Sequence, residues 1–147
     1  MEKCCKIAGL HLATLRAIYV IHQQNHWLTK GDNFYGDHLL FQRLYESAKD
    51  NADVAAEKFL AILGKDALKF SFQNELMFNV LKRYDSLSEK PLEMSLAIEK
   101  DFLKLSKDAY DSFKTEDVMT LGLDDMLMSI ANKREEAVYL LQQSLKK

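Results

Sequence analysis

Apolar side chains recur every three or four positions along four long stretches of this chain. In the first stretch, Ile7, Leu10, Thr14, Ala17, Ile21 and Leu28 keep that step. This is the spacing of one face of an α-helix, and it predicts a helix over about residues 4–28 that stops before Gly31. In the second, Phe41, Leu44, Ala48, Ala55, Phe59 and Ile62 predict a helix over 34–63, closed by Gly64. Residues 65–88 connect it to the third. This crossover holds an apolar, helix-like run through Phe70, Phe72, Leu76, Met77, Val80 and Leu81. The third long helix is expected to start near Ser88 as N-cap, with Pro91 in its first turn and Glu89 and Glu93 suiting its dipole. Its apolar content is Leu92, Leu96, Phe102, Leu103, Leu105 and Tyr110. The fourth is expected over 116–145, capped by Thr115, with Met119, Leu123, Met126, Leu127, Ile130, Ala137, Leu140 and Leu141 as its stripe. Four amphipathic helices with one long crossover predict an all-α, ferritin-like four-helix bundle with a short extra helix between the second and third long helices.

Composition narrows the class. One proline and five glycines in 147 residues leave few helix breakers. Such a length is expected to make one domain with a single sizeable core. Hydrophobic residues at 48% with 29% charged residues fit a soluble globular chain, and no uninterrupted apolar run reaches the length of a membrane span. The first residues carry no signal-type apolar region. Cys4 and Cys5 are adjacent and offer no disulfide framework, so free thiols in a reducing cytoplasm are expected.

The chemistry concentrates early. His26 and His38 lie 12 residues apart on either side of Gly31-Asp32-Asn33, and can face each other across a helical hairpin. Asp53 follows His38 by 15 residues, and Glu57 follows Asp53 by four, on one helix face. Carboxylate oxygen with imidazole nitrogen suits iron, manganese or zinc better than copper(I) or calcium. Within a single helix, however, His38 and Asp53 stand roughly 22 Å apart along the axis at ~1.5 Å per residue, too far for one metal. They project within roughly 60° of each other, so a second copy running antiparallel across a two-fold axis would bring one subunit's carboxylates to the other's histidines.

The stretch from His26-Trp27 through Gly31-Asp-Asn-Phe34 to His38, followed by Asp53-x-x-x-Glu57, resembles the core signature of the Dps family, the miniferritins. The resemblance is sharpest over residues 22–64. It implies that His26, His38, Asp53 and Glu57 are ferroxidase ligands, that Fe(II) is oxidised there, preferably by hydrogen peroxide, and that Fe(III) mineral is stored in a hollow dodecamer built from two-fold dimers. It also implies a crossover helix that contacts the two-fold axis, where a packed lid is the plainer alternative. Where the family has an acid four residues after His38, this chain has Gln42, which removes one negative charge from the site. His22, one turn before His26, is the candidate auxiliary ligand. Trp27 reads either as hairpin packing or as an oxidisable aromatic beside the iron, a role Tyr19 and Tyr45 could share. Asp124 and Asp125 match the family's iron-entry pore, with helix-dipole complementarity as the alternative.

Other readings compete. The chain contains no Glu-x-x-His, which argues against the ordinary ferritin-type site within one bundle. Zinc or manganese could replace iron with this ligand set. Assembly as a scaffold with a degenerate metal site is one alternative, and a nucleoid DNA-binding protein is another. A net charge of −2, with Lys3, Lys146 and Lys147 as the basic residues at the ends, argues against DNA binding.

Overall fold

The long runs free of proline and glycine become long helices in the computed structural model, which describes residues 2–146. Five α-helices follow in order: α1 (Glu2–Leu28), α2 (Phe34–Leu63), α3 (Phe70–Lys82), α4 (Pro91–Thr115) and α5 (Leu121–Leu145). Short 3-10 turns at Asp66–Leu68 and Asp85–Leu87 flank α3. No strand occurs among the described residues. The arrangement is a ferritin-like four-helix bundle, with α3 the short helix of the crossover. Lys147, named above among the terminal basic residues, lies outside the described residues, as does Met1.

Helix α1 is the hub, packing along α2, α3 and α4, while α5 closes the bundle against α2 and α4. Its burial follows only part of the stripe its apolar spacing predicts, through Thr14, Ala17 and Ile21. Cys4, Ala8, His11, Leu12, Leu15, Ile18, His22 and Asn25 are buried, whereas Ile7 and Leu10 are half-buried and Leu28 is exposed. A helix covered from three sides has no single dry face, so periodicity cannot find one. By length and composition α1 could also cross a membrane, but 61% of its most apolar window is buried inside the bundle. Close approach to α3 is secured at Gly9, where an added Cβ would meet the Phe72 ring at 2.7 Å. Buried Gln73 donates to the carbonyls of Gly9 and Ala67, tying the crossover down.

Two helix starts differ from the sequence expectation. Helix α4 begins at Pro91 rather than near Ser88, which instead ends the preceding 3-10 turn. Proline disfavours helical geometry in the residue before it, and Lys90 sits at φ −130°, ψ 74°. Helix α5 begins at Leu121 under Thr120, whose hydroxyl accepts from the Leu123 amide. Thr115 is instead the last residue of α4. There the Asp117 amide reaches Lys114 O and the Val118 amide reaches Phe113 O, a Schellman stop with Asp117 at φ 58°. Val118 packs against the core beside buried Phe113, which selects this stop over an earlier one.

A polar layer crosses the bundle between two apolar clusters. The larger contains Leu15, Ile18, Phe59, Ile98, Phe102 and Leu127, and the smaller is centred on Phe41, Leu44, Ala137 and Leu141. Between them in sequence lie Ser47, Ser95, Glu99 and Arg134, and the last three are buried.

Candidate metal centre

The turn that joins α1 to α2 positions the two histidines. Gly31 takes φ 105°, a conformation open to glycine, and the chain re-enters helix at Phe34. His26 Nδ1 donates to the carbonyl of His38 at 2.7 Å, and His38 Nδ1 donates to the carbonyl of His26 at 2.8 Å. The rings stack with centroids 3.7 Å apart and planes 16° from parallel. Carbonyl oxygens only accept, so both Nδ1 atoms carry protons and both Nε2 atoms are left as lone-pair donors to a metal. Phe34 stacks on the outer face of His38 at 5.0 Å, and Tyr45 sits edge-on to His26 at 5.4 Å. Reciprocal backbone bonds and ring stacking thus fix both rings and leave both Nε2 atoms free.

Asp53 and Glu57 share an exposed face of α2. Ala55 between them is buried and Ala56 half-buried, while Val54 is half exposed within the protomer. Asp53 lines a groove of about 580 Å³ between α1, α2 and α3, with Arg16, Tyr19, Lys49 and Met77 among its walls. The carboxylate pair and the histidine pair are not brought together. Among the described residues, no three His, Cys, Asp or Glu side chains gather closely enough to hold a metal within the chain. Each half of the ligand set stands alone on the surface.

Gln42, half-buried, donates its amide to Glu46 one turn on at 3.2 Å. Trp27 does not pack the hairpin within the protomer, since it is 65% exposed. Asp125 is exposed, while Asp124 accepts from the Tyr110 hydroxyl at 3.1 Å; Glu116 pairs with Lys3.

His22 is not available as an auxiliary ligand. It is fully buried, its Nε2–H donates to Glu99 Oε2 at 2.8 Å, and its Nδ1 pairs with Ser95 Oγ at 2.9 Å. Ser95 Oγ also accepts from Asn25, which donates to the Pro91 carbonyl as well. The start of α4 therefore engages His22 and Asn25, while His26, half-buried, faces His38 across the turn to α2. Along the sequence the two histidines look alike, and the end of a neighbouring helix separates them.

The bundle centre, where ferritin-type di-iron sites are built, holds a guanidinium instead. Arg134 is fully buried, with Nε 3.3 Å from Glu99 Oε1 and Nη2 donating to Ser47 Oγ at 3.0 Å. Burial pulls its pKa down while Glu99 pushes it back up. A fixed positive charge paired to the buried carboxylate disfavours a cation there. Sequence spacing gives no sign of Arg134 and Glu99, because charged helix positions read as solvated by default. Nor does spacing mark His11, an imidazole packed between Phe59 and Phe102 at 5.3 and 4.9 Å between ring centroids, with neither nitrogen hydrogen-bonded. Burial lowers its pKa to about 3.

Comparison with known proteins gives one answer at the levels of sequence and fold. No protein-family profile matches the chain. It is 29% identical over 121 residues to DNA protection during starvation protein 2 of Bacillus anthracis, covering 80% of this chain and 79% of that protein. It is 27% identical over 137 residues to the nutrient stress-induced DNA-binding protein of a Nostoc species, covering 92% of this chain and 73% of the relative. Among solved structures, Dps from Thermosynechococcus elongatus superposes with a TM-score of 0.81 at 16% identity, over 99% of this chain and 92% of the other. Dps from Microbacterium arborescens in its high-iron form superposes at 0.74 and 18% identity, over 98% and 93% of the two chains. Identities that low speak for the fold alone: the chain has the fold of the Dps structures, and its sequence is similar to that of curated Dps-type proteins.

Proposed function

We propose that this protein binds Fe(II) at sites shared by two subunits, oxidises it, and retains the Fe(III) product inside a closed shell, a dodecamer by family analogy. The observation that carries the reading is the histidine clasp. Two imidazoles with both Nδ1 protons committed to backbone carbonyls present two free Nε2 atoms from an exposed hairpin. Their natural complement is the exposed pair Asp53 and Glu57, which a single metal cannot join to His38 across roughly 22 Å of the same helix. A two-fold partner supplies the missing half and forms two sites at once. Nitrogen and carboxylate oxygen suit Fe(II), and the same set accepts zinc or manganese.

In this reading Glu57 and Asp53 supply negative charge and oxygen ligands, while His26 and His38 supply nitrogen from a rigid clasp. Hydrogen peroxide is the preferred oxidant. Two Fe(II) ions lose one electron each and one peroxide takes both, giving two waters after proton uptake. Paired transfer avoids releasing a hydroxyl radical. Asp125, with Asp124, is proposed to line the entry path for the cation. The two free thiols, Cys4 buried and Cys5 half-buried, suit a reducing compartment such as the cytoplasm. The names of the relatives refer to DNA, but a net charge of −2 supplies few phosphate contacts, and DNA is left out of the proposal.

The test adds Fe(II) anaerobically to the native assembly and then supplies stoichiometric hydrogen peroxide. Fast oxidation with iron retained and little hydroxyl radical trapped is expected, and Glu57→Ala should slow it to the rate in protein-free buffer while leaving the assembly intact. Glu57→Ala at the parent rate removes the site assignment. Parent protein no faster than buffer would instead make this a scaffold with a degenerate metal site.

A further inference from the structure

The place of the missing acid points to a second residue. We propose that Glu46 is the positioning residue that makes Gln42 an effective oxygen ligand for Fe(II), and so stands in for the carboxylate this chain lacks at position 42. The inference rests on the site reading above and adds a residue to it.

Three observations support it. The first is placement. Taking His38 as origin and ~100° per residue, Gln42 projects at roughly 40°, Asp53 at roughly 60°, Glu46 at roughly 80° and Glu57 at roughly 100°. Glu46 thus lies on the strip of α2 that carries the proposed ligands. The second is contact. Gln42 Nε2 donates to Glu46 Oε1 at 3.2 Å, so its amide nitrogen is committed and its carbonyl oxygen is the end left for a metal. The third is charge. Among the described residues no Lys, Arg or His forms an ion pair with Glu46, although Arg43, its near neighbour on α2, pairs with Glu136 of α5.

The physics is that of an outer-sphere carboxylate. Glu46 is roughly 12 Å along the axis from His38 at ~1.5 Å per residue, too far to share its metal directly. Through Gln42 it acts in two ways. It fixes which end of the amide faces the metal, and an N–H donated to an anion pushes electron density onto the amide oxygen. Carboxylates behind metal-bound histidines act the same way, and their loss costs about 10- to 100-fold in metal affinity. A neutral ligand thereby regains part of the charge that an acid at position 42 would bring.

The test titrates the native assembly anaerobically with Co(II), read by visible absorption and by equilibrium dialysis, so no turnover is involved. The parent should show a tight and a weaker binding step. Glu46→Ala should weaken the second step by about 10-fold or more and alter its absorption band, with the tight step unmoved. Glu46→Gln keeps an acceptor without charge and should fall between the two. In a Gln42→Leu background, Glu46→Ala should have no further effect, because its route to the metal is gone. Both positions lie on the surface side of α2, so the fold should tolerate the changes. Unchanged binding in Glu46→Ala, a single step in the parent, or an equal loss in both backgrounds would each overturn the proposal. His38→Ala is the control for the underlying site. If it binds Co(II) like the parent, the site reading itself fails; if it loses both steps while Glu46→Ala is silent, only the role of Glu46 fails.

Discussion

Replacing His11 by leucine should remove a large acid sensitivity from the fold. His11 is fully buried between Phe59 and Phe102, and neither ring nitrogen has a partner. Charging it there is costly, and burial lowers its pKa to about 3 against 6.5 for the free side chain. Between those values the unfolded chain carries a proton that the folded chain does not. Stability therefore falls as pH drops below about 6.5, and the loss levels off only near the folded value. At about 1.36 kcal/mol per pH unit, the histidine costs roughly 2 kcal/mol at pH 5 and roughly 3 at pH 4, relative to pH 8. Leucine fills similar space without a proton or an unpaired nitrogen, so some stabilisation should persist at pH 8 as well, on the order of 1 kcal/mol. The charged groups elsewhere titrate in both proteins and largely cancel in the difference. Urea unfolding of parent and His11→Leu at matched protein concentration, at pH 8, 6 and 5, measures it. A stability difference that stays flat between pH 8 and pH 5, or a His11 ring resonance titrating near pH 6.5 in the folded protein, would refute the reasoning.

The polar layer makes a second demand. Arg134→Met leaves Glu99 buried with one of its partners gone and should cost about 3–5 kcal/mol in denaturant unfolding, whereas Glu99→Gln in the same background should recover much of it. Asp117 holds a positive φ at the Schellman stop of α4, so Asp117→Gly should raise stability by about 0.5–1 kcal/mol in thermal or urea unfolding despite removing a side chain. Trp27, exposed in the protomer and next to His26, should report the shared site. Its emission should lie to the blue in the assembly and be quenched by Fe(II), and quenching that survives His26→Ala together with His38→Ala would detach Trp27 from the metal. At low salt, a gel-shift with linear duplex DNA should show no retardation; retention that fades steeply with salt would bring DNA back into the function.

What the sequence alone determined was whatever depends on local spacing. The bounds of α2 and the existence of a helical crossover follow from 3.6-residue periodicity and the positions of glycine and proline, which act within a few residues. The candidate ligands were legible for the same reason, since a hairpin turn and one helical face fix where His26, His38, Asp53 and Glu57 can project. Tertiary structure decided which polar groups are spent inside the bundle. His22 and His26 differ because His22 meets Ser95 and Glu99 of α4 whereas His26 meets His38 of α2. Arg134 and Glu99 form an interior ion pair because α4 and α5 bring them together at the layer between the two apolar clusters, and no spacing rule links residues 35 apart. Nothing in its spacing marks His11 as interior until Phe59 of α2 and Phe102 of α4 close over it. Even the clasp that fixes the tautomers of His26 and His38 needed coordinates, because it runs through backbone carbonyls that only the folded turn aligns.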